Sequence, residues 1–178
     1  MSEPDAGSAP GADPPIRYIE RISAYYQALG YGPPYRWAHY AEVPFHKLTK
    51  PLGQCRVALI TTAAPFRDAA GDQGPGAAYN AAAKFYEVYS GDTALDHDLR
   101  ISHLAYDRMH TTAVDANTWF PLPQLRRLAE IGRIGAVAQH FHGAPTNRSQ
   151  RATLDRDCPE LLTRCEADRA DAAVLVAN

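Results

Sequence analysis

Cysteine is scarce in this chain. Its 178 residues hold three, Cys55, Cys158 and Cys165. The number is odd and no Cys-x-x-Cys occurs, so a disulfide framework and a cysteine-bound zinc both fit poorly. Cys158 and Cys165 stand seven apart on an expected helix and share a face, where both read as small buried hydrophobes. Long apolar runs are missing too; none approaches the roughly 20 residues that cross a bilayer. The first fifteen residues, MSEPDAGSAPGADPP, carry neither a basic nor an apolar stretch. A secretory signal is therefore not expected, and the cytoplasm is the expected compartment. A net charge of −2, with no stripe of Lys and Arg, argues against nucleic acid as a partner. No Gly-x-Ser-x-Gly and no strand-linked Gly-x-Gly-x-x-Gly is present, and GDQGPG lacks the Lys-Ser/Thr of a phosphate loop.

What is present is an ordinary apolar fraction of 46%, enough for one domain with a core. Residues 1–15 are rich in Pro, Gly and Ala and read as a disordered tail, leaving 16–178 as a single α/β domain. Ile19, Ile22, Tyr26 and Leu29 recur at helical spacing, stopped by Gly30 or Gly32 and Pro33-Pro34. Residues 31–53 are aromatic and broken by prolines, which suits a wrapping segment or an interface in which Tyr35, Trp37, Tyr40 and Phe45 pack. RVALITT, 56–62, reads as a β-branched strand buried on both faces of a parallel sheet. Residues 67–83 form a long Gly/Ala-rich connection, either a lid or a surface insert. Residues 84–89 alternate as a strand, SGDT turns the chain, and 100–105 is a short strand. Pro121 opens the clearest helix, with Leu122, Leu125, Leu128 and Ala129 inward, Arg126, Arg127 and Glu130 in water, and Gly132 at its end. A strand over 134–141 and a helix over 154–167 follow, the helix burying Leu154, Cys158, Leu161, Leu162 and Cys165. AAVLVA, 172–177, is a second apolar, parallel strand. The expected architecture is a mainly parallel sheet with helices on both faces, a Rossmann-like three-layer fold.

Four of the seven histidines, His103, His110, His140 and His142, fall within 101–143. Asp107, Asp115 and Asn117 lie among them. On a strand, His140 and His142 share a face and could serve as donor, acceptor or acid and base. They could also bind a metal with His103 or Asp107, although no third ligand stands at a diagnostic spacing, and no metal ligand is assigned. Ser102 and His103 are adjacent and point apart on a strand, which excludes them as a nucleophile pair. Asp115 and Asn117 suit either loop capping or substrate contact. Thr61 and Thr62 stand at a strand's carboxyl end, where open α/β sheets collect ligands.

VALITTAA, SGDT, ISHLAYD, DANTWFPLPQLRRLAEIGRIGAVAQHFHG and DAAVLVAN occur in order across about residues 56–178. In this the chain resembles the selenoprotein B family of glycine, sarcosine and betaine reductases and the selenocysteine subunit of D-proline reductase. The resemblance implies a turn directly after the last strand that carries selenocysteine, or cysteine in many relatives. Its selenolate attacks a carbon bearing an amine and displaces the amine reductively. A dithiol or thioredoxin-type donor then restores the selenol. A partner reductase subunit can carry a pyruvoyl group that holds the amine as a Schiff base.

The resulting expectation is a reductase subunit that cleaves a C–N or related bond of a small amine or amino-acid-like substrate. His103, His140, His142 and Asp107 are its catalytic candidates, and Thr61, Thr62, Asp115 and Asn117 its substrate-binding candidates. No bound cofactor is expected, and a homo-oligomer is open. The nucleophile is expected beyond Asn178, so the 178-residue chain is expected to be inactive alone. Two other classes stay open: a metal-dependent hydrolase or lyase using His103, His140 and His142, and a non-catalytic assembly subunit whose interface is 31–48.

Overall fold

A computed structural model describes residues 17–32, 40–44, 46–66, 76–103, 106–110, 112–147 and 149–178. The chain divides into two compact units, Met1–Phe45 and His46–Asn178. In the first, helix α1 spans Tyr18–Ala28 and stops at Gly30, whose φ of 75° a helix cannot continue through. Tyr26 meets Tyr25 and Tyr31 edge to face. Tyr35, Trp37 and Phe45 of the aromatic segment, and residues 67–75 of the long connection, lie outside the described residues.

The second unit is built on β1, Arg56–Thr61. β5 (Ala136–Val137) pairs with its first residues and β6 (His140–Gly143) with its last, both parallel. β7 (Ala172–Val176) runs parallel along Val57–Thr61 and therefore occupies the other edge of β1. β3 (Tyr89–Asp92) closes the far side, antiparallel to β6. β2 (Ala64–Pro65) and β4 (Leu99–Arg100) form a separate antiparallel pair. The protein is thus α/β with a mixed sheet. Among the described residues it does not show the regular alternation of parallel strand and helix of a doubly wound fold. Between β1 and β4 the described residues contain only short strands, turns and irregular chain.

Several local expectations are corrected. Residues 84–88 are irregular, and the strand begins at Tyr89. The expected strand over 100–105 is only Leu99–Arg100 plus a bridge from Ile101 to Tyr79, with 104–105 outside the described residues. The strand expected over 134–141 is broken at Ala138 and Gln139, because Thr93 enters there. Its hydroxyl donates to the Ala138 carbonyl at 2.6 Å, and its amide donates to the Gln139 carbonyl at 2.9 Å.

Helix α2 (Leu122–Glu130) covers the face of β1 that carries Val57 and Leu59. Leu122 and Leu125 pack there with Trp119, Phe120, Ile134 and Phe141. Each such side chain contributes about 1.5–3 kcal/mol by leaving water. Arg126, expected in water, is half-buried instead; its Nε donates to the Thr93 carbonyl at 2.7 Å and ties α2 to the β3 turn. Two glycines allow β3 and β6 to approach. A Cβ at Gly143 would sit 1.8 Å from the Tyr89 ring, and one at Gly91 2.4 Å from the Phe141 ring.

The last helical run starts earlier than expected. It comprises α3 (Gln150–Ala152), a π-helical stretch Thr153–Asp157 and α4 (Cys158–Ala167). Its buried residues are Asp157 and Leu161; Leu154, Cys158 and Leu162 are exposed, contrary to the expected apolar stripe. The face turned to the sheet is polar, because it meets Ser90, His140 and His142. β7 is likewise not buried on both faces: as an edge strand it leaves Leu175 67% exposed. Among the described residues no helix is long and apolar enough to cross a membrane.

Candidate functional site

The strand registers decide which side chains share a face. Ile60 of β1 lies opposite His142 of β6 and Leu175 of β7, and His142 lies opposite Ser90 of β3. Because side chains alternate, His140 joins this row, while Val57, Leu59, Thr61 and Phe141 turn to the core under α2. α4 crosses the row and brings charged groups onto it.

Asp168, the residue after α4, is the hub. Its carboxylate accepts the His140 backbone amide at 2.8 Å and lies 3.0 Å from His140 Nδ1. It also stands 3.9 Å from His142 Nε2. The His142 ring is buried, and its Nε2 has no hydrogen-bond partner among the described residues. On the ring's other side, Nδ1 lies 2.9 Å from Ser90 Oγ. Arg164 Nη1 donates to that same hydroxyl at 2.8 Å, and Arg164 Nε donates to Glu160 at 2.7 Å. Burial pushes the His142 pKa down; Asp168 opposes the shift, and Arg164 and His140 reinforce it. Burial, and then the Asp168 carboxylate, push the Cys165 thiol up.

A second polar cluster stands on the core side of the sheet's carboxyl edge. The Thr61 hydroxyl donates to the Trp119 carbonyl at 3.3 Å. The Thr62 hydroxyl accepts the Asn178 amide at 2.8 Å and donates to the Asn178 carbonyl at 3.1 Å. Asn178 Nδ2 also donates to the Trp119 carbonyl, at 3.2 Å. Three segments far apart in sequence (the threonines after VALI, the tryptophan of DANTW and the end of VLVAN) therefore meet at the ends of β1 and β7.

The remaining candidates lie elsewhere. Asp107 accepts the Met109 and His110 amides and His110 Nδ1 at 2.7 Å, and the last of these contacts pulls its carboxyl below the usual range. Asp115 caps a 3-10 turn, Ala116–Thr118, by accepting the Asn117 amide at 3.0 Å. Asn117 Oδ1 in turn accepts the Gln124 amide of α2. Ser102 is buried and His103 exposed, and neither lies in a strand. No group of three or more His, Cys, Asp and Glu able to hold a metal ion occurs among the described residues.

Sequence reasoning missed Ser90, Arg164 and Asp168. Ser90 carried a signal, since it opens the SGDT piece, but Arg164 and Asp168 sit in an ordinary charged helix end. Cys55 is fully buried just before β1, at the opposite end of the strand from Thr61. Cys158 is exposed on α4, and Cys165 is half-buried with a raised pKa.

No curated protein and no solved structure matches the chain. The family model described as glycine/sarcosine/betaine reductase selenoprotein B matches residues 25–178, which include β1, β3, β6, β7 and both polar clusters. The match spans well over half of the sequence, and the chain belongs to the glycine/sarcosine/betaine reductase selenoprotein B family.

Proposed function

We propose that this chain is the substrate-cleaving subunit of a thiol-dependent reductase acting on a small amine or amino-acid-like molecule. The family match over residues 25–178 carries the reading. In the proposed reaction a selenolate or thiolate attacks the amine-bearing carbon. A carbon–chalcogen bond forms as the C–N bond breaks, and the amine leaves with a proton. A dithiol then supplies two electrons and becomes a disulfide, while the carbon takes up hydrogen and the chalcogen is released. A partner reductase subunit, with or without a pyruvoyl group to hold the amine, belongs to the proposal.

In the proposal the chalcogen belongs to a turn after the last strand, at the carboxyl end of β7 beside Thr62. Cys55, fully buried at the opposite end of β1, and Cys165, half-buried with a raised pKa, support a reacting atom of separate origin. His140 and His142, on the sheet face opposite Thr61, are proposed to serve the reaction as hydrogen-bonding groups, and Thr61 and Thr62 to shape the carboxyl edge. His103, Asp107, Asp115 and Asn117 stay weaker proposals, because Asp107, Asp115 and Asn117 already serve local turns. The test is dithiol-dependent release of amine from glycine, sarcosine and betaine. The 178-residue chain is expected to release none, and a chain extended by a turn bearing selenocysteine or cysteine is expected to release amine. Equal release by both forms refutes the placement of the nucleophile.

A further inference from the structure

We propose that Ser90, Arg164 and Asp168 are positioning residues that lock His142 as a neutral imidazole with its proton on Nε2, making it a hydrogen-bond donor rather than a general base. The inference rests on the reductase reading only for what the ring does to substrate; the lock itself follows from the geometry. Arg164 has no acceptor, so its Nη1–H must donate to Ser90 Oγ at 2.8 Å. That occupies one lone pair of the hydroxyl, and in the proposed arrangement its O–H points to His142 Nδ1, 2.9 Å away. Nδ1 is then an acceptor and the ring proton sits on Nε2. Asp168 favours the same tautomer from the other side. Its Oδ2 stands 3.9 Å from Nε2, where a carboxylate attracts an N–H and repels a bare lone pair.

The charged groups facing the ring agree. Asp168 and Arg164 come from the α4 end, with Glu160 behind Arg164 and the Cys165 thiol beside Asp168. β6 brings His140, and β1 brings only Ile60. The burial that lowers the His142 pKa also disfavours the imidazolium. The outcome is an Nε2–H that is buried, fixed in direction and without a hydrogen-bond partner among the described residues. A neutral donor of this kind supplies fixed positive polarity to that face of the sheet without taking up a proton.

Long-range proton–nitrogen spectra of uniformly labelled protein read imidazole tautomers directly, with the His142 signals assigned through His142→Gln. The Nε2–H pattern is expected at pH 7, with less imidazolium at acid pH than a free imidazole shows. In Ser90→Ala the tautomer ratio is expected to fall about five-fold, the worth of one ordinary hydrogen bond, and Ser90→Thr to restore it. In Arg164→Met the imidazolium is expected to appear at higher pH than in the parent. An Nδ1–H ring or an imidazolium at pH 7 overturns the proposal. So does a Ser90→Ala spectrum matching the parent. Should Ser90→Ala not fold, Arg164→Met, on a partly exposed helix position, decides alone: an unmoved titration counts against the lock. These readings do not depend on turnover. Absence of amine release leaves the lock standing, and a wrong tautomer leaves the reductase reading standing.

Discussion

Replacing His142 with Gln should remove a specific piece of the protein's acid sensitivity. Its ring is buried and its folded-state pKa lies below the ordinary 6.5. As pH falls through 6.5, the unfolded chain takes up a proton that the folded chain refuses. The stability that His142 confers is therefore complete above the unfolded pKa and is lost progressively below it, until the folded ring also protonates. With one proton of difference the slope approaches about 1.4 kcal/mol per pH unit. Integrated from pH 8 to pH 5.0, the loss attributable to this ring reaches about 2 kcal/mol at most. The window is clean. Asp98, Asp107 and Asp171 have pKa values lowered from 3.8, by Arg100, His110 and Lys50 respectively, so their contributions are lost only further into acid. Urea unfolding at pH 8.0, 6.5, 5.5 and 5.0 gives the stability at each pH, provided the dependence on urea keeps one slope. The parent should lose more stability than His142→Gln over this range, by no more than about 2 kcal/mol. The variant's stability at pH 8 is not the readout. Parallel curves for the two proteins would mean that the ring titrates normally in the fold, and a parent that gains on the variant as pH falls would mean that the ring is charged there; either result would refute the reasoning.

Other substitutions probe other links of the argument. Asp168→Asn removes the charge that holds the His140 amide and ring, at an expected cost of about 1.5–3 kcal/mol in urea unfolding, and should lower the His142 pKa further by NMR titration. Gly143→Ala puts a methyl group on the Tyr89 ring and should cost at least 1–3 kcal/mol, seen as a fall in Tm; Gly143→Ala with Tyr89→Leu should recover part of it. Leu59→Ala should cost about 2–5 kcal/mol, whereas Leu175→Ala, in the exposed edge strand, should change stability by less than about 0.5 kcal/mol. Similar losses from Leu59→Ala and Leu175→Ala would mean that β7 is buried under conditions where the protein works.

Elements whose local chemistry matches their surroundings were legible in the sequence. β1 was readable because a β-branched run held between parallel neighbours is apolar throughout. α2 was readable because its Pro start, apolar stripe and Gly stop agree. The shared face of His140 and His142 followed from the period of a strand, and it survived the break at Ala138 because β6 contains both residues. What could not be read depends on distant partners. The break itself comes from Thr93, 45 residues away from the carbonyl it caps. The 154–167 helix was assigned a buried apolar face from its Leu and Cys spacing. Its inward side is instead Asp157, Leu161, Arg164 and Asp168, because the sheet surface beneath it carries histidines and a serine. Asp168, the hub of the site, is one of several acidic residues near a helix end, and nothing local distinguishes it.

The central claim is that the reacting chalcogen stands at the carboxyl end of β7 and not on Cys55, Cys158 or Cys165. Its most direct test is mass-spectrometric mapping of covalent adducts. A form of the protein extended past Asn178 by a turn bearing selenocysteine or cysteine is incubated with the amine substrate, with and without dithiol. Without dithiol, the adduct is expected on that turn residue alone, and dithiol should discharge it. A substrate adduct on Cys55, Cys158 or Cys165, or dithiol-dependent turnover in a chain lacking the turn residue, would contradict the account.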